Sequence, residues 1–338
     1  APRTVYCEVV INGEYVGLYM LQEKLKSDTN RVNVLKITNT DITSPNVSGG
    51  YITKADKTTG GDPVAFTMSS YSWETSFIHD LPKPEEVTNE QNDYIFSVFT
   101  SLKYAARENN FSLTNGVPSI IDIPTFVDFM LCNELASNPD AYQFSTYFHK
   151  DRDGKLRAGP IWDFNLTYGN DLFLWDYDRS HYDVWQFSDG GNDGPKFWTD
   201  LYNNPIYKCY LSRRFNDLIQ EGKPMNYNSL NTFIDITIAT IAEASAREQQ
   251  KWGTIPDLNL EVTNLKSWLS KRISWMTSNL GSYSNCSTIA IPSLVITKIN
   301  YNPTVSTSFP ESNDQEFIAI KNTGTTNINL TGLYFAAL

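Results

Sequence analysis

Residues 138–165 read NPDAYQFSTYFHKDRDGKLRAGPIWDFN. One aspartate stands near each end, Asp140 and Asp163. Between them an aromatic, β-branched run from Phe144 to His149 meets a turn-forming Asp151-Arg152-Asp153-Gly154, and a second run ends at Trp162. Strand, turn and strand make a hairpin. A hairpin folds its ends together, so two carboxylates 23 residues apart in sequence are expected to be neighbours in space.

Upstream, Val127, Met130, Leu131 and Leu135 fall on one helical face. Asp122 is the expected N-cap of that helix, with Pro124 in its first turn, and Pro139 ends it. Asn89 to Arg107 is a second helix. Nearer the N-terminus, Tyr6–Ile11 and Tyr15–Leu21 alternate around Asn12-Gly13, a strong hairpin signal. Thr38 to Ser48 is polar and reads as a loop. Gly49-Gly50 opens a further strand, YITKAD, which carries Lys54. The Gly/Thr/Asp-rich residues 57–70 and the aromatic, acidic residues 166–197 read as loops. Downstream, helices are expected at Pro205–Ile219, along Leu230, Ile234, Ile238 and Ile241, and along Val262, Leu265, Leu269, Ile273, Met276 and Leu280. Strands, helices, a hairpin and helices again give an α+β class rather than alternating βαβ units.

The composition shifts near residue 287. SLVITKINYNP, QEFIAIKNTG and INLTGLYF are strand-like runs between Pro, Ser, Asn, Thr and Gly, as at the start of an immunoglobulin-like β-sandwich. Three strands cannot close a sandwich. The expected division is therefore a first domain at 1–287 and a partial second one at 288–338.

The chain has 338 residues, 41% of them hydrophobic, and a net charge of −11. That charge argues against a nucleic-acid partner or an anionic membrane surface. No apolar run is long enough for a transmembrane segment, and no signal peptide opens the chain. Cys7, Cys132, Cys209 and Cys286 are scattered and form no zinc pattern. Of the histidines, His79, His149 and His181, none accompanies a nucleophile-elbow motif.

The chemistry that fits this layout is phosphoryl transfer. An aspartate on a loop after a helix orients the attacking hydroxyl, and a second one at the end of a short hairpin holds the metal bridging the nucleotide phosphates. Asp140 and Asp163 take those two positions. Lys54 would reach the α- and β-phosphates, with Glu23 as its partner. Gly13, in the turn Asn12-Gly13-Glu14, would cover phosphates with backbone N–H groups.

The stretches NGEYVGLYMLQEKL, GGYITKAD, NELASNPDAYQFSTYF and GPIWDFNLTYGN resemble the motifs of CotH-type proteins, the spore-coat protein H family of atypical kinases. The resemblance covers roughly residues 3–285. It implies an atypical protein-kinase-like fold, with a small N-terminal antiparallel sheet and a helical C-terminal lobe. It further implies ATP with Mg²⁺ or Mn²⁺, and phosphorylation of Ser or Thr on a secreted or bacterial cell-surface protein, one of basic character suiting the acidic chain. Asp140 matches the catalytic aspartate of the family and Asp163 its metal-binding aspartate. Position 165 is Asn where spore-coat members read Trp-Asp-x-Asp. Ser145 stands where a typical kinase carries its metal-binding asparagine, so Asp163, Asn165 and Ser145 form the expected metal set. Family members usually carry a further segment upstream of the first hairpin. The tail from Ser293 resembles the opening of a lamin-tail-type domain.

Two other functions fit the residues. One is a catalytically inactive surface scaffold that keeps the fold. The other is glycan or peptide contact through the loop carrying Asp171, Trp175, Asp176, Tyr177, Asp178, Tyr182, Asp183 and Trp185.

Overall fold

The structure is a computed structural model describing residues 2–70, 73–171, 179–189, 191–255, 257–281 and 293–328. The chain falls into two compact units, Ala1–Asn285 and Cys286–Ala337.

The first unit opens with β1 (Thr4–Ile11) and β2 (Glu14–Gln22), antiparallel to each other. Asn12 and Gly13 both have positive φ, 54° and 85°, as a type I′ two-residue turn requires. After an irregular stretch come β3 (Tyr51–Ala55), β4 (Phe66–Ser69) and β5 (Glu74–Leu81). Helices α1 (Asn89–Arg107), α2 (Val117–Ile120) and α3 (Ile123–Ala136) follow. Thr88 and Gln91 form a capping box at α1. At α3, Asp122 accepts from the Thr125 N–H, as its N-cap position predicts. The hairpin strands are β6 (Thr146–Lys150) and β7 (Arg157–Ala158). Among the described residues five helices follow: α4 (Phe197–Asn203), α5 (Pro205–Leu218), α6 (Tyr227–Thr240), α7 (Ala242–Trp252) and α8 (Leu258–Leu280).

The sheet order is β4-β5-β3-β6-β7, all antiparallel. This corrects the sequence reading in two places. Residues 66–69, taken as loop, form an edge strand. The hairpin is no separate element either: β6 pairs with β3 along its whole length, with Lys54 opposite Tyr147. Strand β3 is covered on both faces: four of its five residues are buried, and Lys54 is partly so. Tyr51 and Ala55 join the main core with Phe77, Phe99, Phe126 and Phe148. Ile52 points the other way, into a smaller cluster with Leu25, Val32, Val34, Leu81 and Tyr147. Alternation places Lys54 on that second face, with Ile52.

Hairpin β1–β2 is a two-stranded sheet of its own that docks on α7. The Trp252 indole N–H donates to Val16 O at 2.8 Å, and Arg247 forks onto Glu8 with two 2.7 Å bonds.

The second unit holds β8 (Leu294–Asn300) and β9 (Phe317–Asn322), one antiparallel pair among the described residues. The third expected run, INLTGLYF at 328–335, lies outside the described residues except for Ile328. No sandwich is formed by the described residues.

Phe148 is fully buried and has ring neighbours Phe77, Phe99, Phe126, Phe197 and Trp198 at centroid distances of 5.1–6.3 Å. Phe148→Ala should cost about 3–5 kcal/mol in urea unfolding, because packing this dense cannot collapse around the cavity. A loss below about 1 kcal/mol would show that the core is plastic there.

His79 is buried. It bonds Thr53 Oγ1 at 3.1 Å through Nδ1 and Asn92 Oδ1 at 3.0 Å through Nε2. Burial lowers its pKa below the ordinary 6.5, and the Asn92 bond opposes that only in part. The unfolded chain takes up a proton near 6.5 that the fold refuses, so this contribution is complete above 6.5 and is lost as pH falls toward the depressed value. Comparing urea midpoints at about pH 7.5 and 5.5, His79→Gln should lose less stability on acidification than the wild type. An equal loss in both would rule this out.

Candidate active site

Helix α3 delivers the chain to the site. Its C-cap, Ser137, is left-handed (φ 46°). Asn138 then accepts the Asp140 N–H at 3.1 Å and donates to Asn133 Oδ1 at 3.0 Å. The loop after Asp140 is boxed in by three further bonds. Tyr142 N–H donates to Thr146 Oγ1 at 2.8 Å, the Gln143 amide to Pro139 O at 2.9 Å, and the Asn192 amide to Ala141 O at 2.8 Å. Tyr142, Ser145 and Asp163 all carry positive φ (72°, 49° and 61°). Non-glycine residues adopt this conformation at a cost of order 1–3 kcal/mol each, and such strain gathers at functional sites.

The hairpin does bring its ends together. The Ser145 hydroxyl, from the Asp140 loop, donates to Asp163 Oδ2 at 3.4 Å. The Asp163 charge also acts on Asp140. Asp140 has a raised pKa, first because of burial; Lys57 and Arg179 oppose the rise, and Asp163 and Asp171 add to it. Lys57 Nζ and Arg179 NH2 each stand 3.8 Å from an Asp140 oxygen, on Oδ2 and Oδ1 respectively.

Lys54 meets Asp56 rather than Glu23: its ammonium bonds Asp56 Oδ2 at 2.8 Å and lies 5.9 Å from the Tyr147 ring centroid. Glu23 is held instead by Arg3 and Arg31. Asp56 also accepts the Ser145 N–H at 3.3 Å and the Lys57 N–H at 2.9 Å, so it ties the end of β3 to the loop between Asp140 and the hairpin. Gly13 lies at the tip of β1–β2, whose flanking residues share an open depression with Lys251 and Trp252. Asn165 is exposed, and its backbone carbonyl accepts from the Asn170 amide at 3.1 Å.

Residues 1–276 match the family model described as CotH kinase protein. The chain belongs to the CotH kinase family. No curated protein matches it.

For a CotH kinase the donor chemistry here is suitable. Asp163 and the Ser145 hydroxyl offer hard oxygen ligands of the kind Mg²⁺ and Mn²⁺ prefer. Among the described residues no three His, Cys, Asp or Glu side chains cluster as a metal cage. Mg²⁺ fits such a site, because it is usually held by one or two carboxylates together with substrate phosphates and water.

Sequence reasoning missed Asp56, Lys57 and Arg179. The signal was present in the charged run Lys54-Ala55-Asp56-Lys57 at a strand end. It missed Glu134 and Arg272 as well, which brace the site from behind. Both are almost wholly buried. Arg272 donates to Glu134 Oε2 at 3.0 Å and to the carbonyls of Glu134, Tyr182 and Val184 at 2.7, 2.8 and 2.6 Å. Glu134 accepts from the Tyr142 hydroxyl at 2.8 Å and from the N–H groups of Gln186 and Phe187 at 3.0 and 3.2 Å. The warning in the sequence was an arginine on the same helical stripe as Leu269 and Met276. Of the acidic, aromatic loop, Trp175, Asp176, Tyr177 and Asp178 lie outside the described residues. Trp185 packs against Trp275 with centroids 4.6 Å apart.

Glu134→Gln or Arg272→Met should each cost about 3–5 kcal/mol in chemical denaturation, because each strands a buried charge. The pair Glu134→Gln with Arg272→Met should cost less than the two singles summed, because the double variant leaves no unpaired buried charge. A double variant as costly as the two singles summed would mean that the ions are not coupled.

Proposed function

We propose that this chain is an ATP-dependent protein kinase that transfers the γ-phosphoryl group to Ser or Thr of an extracytoplasmic or surface protein, with Asp140 as catalytic base and Asp163 as metal ligand. The observation that carries the reading is the Ser145–Asp163 contact beside a cation-flanked Asp140, at the junction of α3 and the hairpin. Family membership supports phosphoryl transfer, and the link of this family to the spore coat supports the setting. A divalent ion, when bound, would neutralise phosphate charge and orient the leaving group.

Asp140 would accept a hydrogen bond from the acceptor hydroxyl, and its raised pKa suits it to take the proton as the new bond forms. Asp163 would hold the ion from the hairpin end, with the Ser145 hydroxyl and Asn165 amide oxygen as neutral companions. Lys54 would turn from Asp56 to the phosphates. Gly13 would contribute only if the β1–β2 tip reached the nucleotide, and Glu23 would act through Arg3 and Arg31 rather than through Lys54. Tyr182 and Asp183 belong to the segment that would face a peptide, whereas Trp185 packs inward on Trp275.

Calorimetric titration of ATP with Mg²⁺ or Mn²⁺ tests this. Wild type should bind at about millimolar Kd or tighter, and Asp163→Ala should not bind. Asp140→Asn should bind ATP normally yet lose about 10²–10⁴-fold in phosphate transfer. Failure of the wild type to bind would leave an inactive scaffold as the reading, a role that the neutral Asn165 would suit.

A further inference from the structure

Two cations flank Asp140, and they are held differently. Arg179 is the constrained one. Its guanidinium engages Asp171, which is fully buried, through Nε and through NH2 (3.2 Å). Its own carbonyl accepts from the Gln186 amide at 2.8 Å. Turning Arg179 toward a ligand would strip Asp171 of that partner, and a buried carboxylate does not tolerate this cheaply.

Lys57 is the available one. Its side chain is 51% exposed, and its ammonium sits 4.5 Å from the Phe144 ring centroid. At 3.8 Å its contact with Asp140 is an ion pair without a short hydrogen bond. The ammonium therefore keeps donors for a third group. Its backbone does not drift, because Asp56 Oδ1 holds both the Lys57 and the Ser145 N–H groups. Lys54 lacks this readiness: it is 18% exposed and closed onto Asp56 at 2.8 Å.

A hydroxyl that gives its proton to Asp140 must come within about 2.6–3.2 Å of it. The phosphorus it attacks then lies within a few ångströms of the same carboxylate, which is where Lys57 Nζ already stands. We propose that Lys57 is a catalytic residue of this site, its ammonium meeting the equatorial oxygens of the transferred phosphoryl group. This rests on the kinase reading above. The acceptor oxygen forms its bond to phosphorus as the bond to the bridging oxygen breaks. The hydroxyl proton passes to Asp140, and the electron pair leaves with the nucleoside diphosphate. Lys57 exchanges no proton; it supplies charge where charge develops.

A group that meets the γ-phosphate must distinguish ATP from ADP, whereas one that only props the loop need not. The test titrates ATP and ADP separately, each with Mn²⁺, into wild type, Lys57→Met, Lys57→Arg and Lys54→Met, all as the full chain. Lys57→Met should lose about tenfold or more in ATP affinity, the worth of one charged hydrogen bond, and bind ADP within about twofold of wild type. Its turnover should fall about 10²–10³-fold, with Lys57→Arg recovering part of the loss. Lys54→Met should weaken both nucleotides alike. If wild type binds ATP and Lys57→Met keeps both its rate and its ATP preference, the proposal is overturned while the kinase reading stands. If wild type binds neither nucleotide, both fall together.

Discussion

The buried pair Glu134–Arg272 is the constraint on which the site depends. Arg272 comes from α8 and Glu134 from the last turn of α3, 138 residues apart. Between them they satisfy the carbonyls of Tyr182 and Val184, the N–H groups of Gln186 and Phe187, and the Tyr142 hydroxyl. One ion pair thus joins the helix that leads into Asp140, the loop that follows it and the segment that follows Asp163. Trp185 and Trp275 flank the guanidinium at 5.6 and 4.9 Å. An apolar pair of similar volume would remove the two buried charges but would leave those carbonyls, N–H groups and the hydroxyl without these partners. Nor could it match the ion pair for placement, because only a guanidinium and a carboxylate present enough donors and acceptors to fix three backbone segments at one point.

In front of this brace the sheet acts as a ruler. Because β6 pairs with β3 in a fixed register, the loop before β6 and the chain after β3 emerge side by side at one end of the sheet. Asp56 then bonds across the two. Asp140, Lys54 and Lys57 are therefore positioned by the same ladder. A slip of one residue between β3 and β6 would set Lys54 opposite Phe148, so that either the lysine turned to the core face or the phenylalanine left it. The cost of burying Lys54 or exposing Phe148 holds the register.

Much of this was legible in the sequence because it is local. The type I′ turn at Asn12-Gly13, the Asp122 cap and the 89–107 helix are set by residues within a few positions of each other. The meeting of the loop after Asp140 with Asp163, seen in the Ser145 hydroxyl's bond to Asp163, is also local, since one hairpin suffices. The partner of Lys54 was not legible. Glu23 was the expected partner because it ends the second strand, but β1–β2 docks on α7 and, among the described residues, forms a sheet of its own, so Glu23 settles with Arg3 and Arg31. The edge strand Phe66–Ser69 was hidden in a Gly/Thr/Asp-rich stretch, because an edge strand needs only alternate apolar residues, here Phe66 and Met68. The Glu134–Arg272 pair was invisible for another reason: its partners are distant in sequence, and helical periodicity reports faces rather than what faces them.

The charge pattern also bears on how a metal could be held. Around the site stand Asp56, Asp140, Asp163 and Asp171, with Lys54, Lys57 and Arg179 set among them. Asp56 and Asp171 are each committed to a cation, and Asp140 lies between two. Asp163 alone, with a hydroxyl at 3.4 Å and a neutral Asn165, is a poor cage for a bare divalent ion. Phosphate oxygens would supply the missing ligands and charge, and an ion arriving on a nucleotide brings them with it. An uncharged Asn165 would make a metal site on Asp163 one completed by the nucleotide rather than one preformed for the ion. It would also lessen the repulsion that a polyphosphate would meet on approach. On the kinase proposal, such a site would receive the metal–nucleotide complex better than the metal alone, and the exposed Lys57 beside Asp140 would favour that same anionic guest.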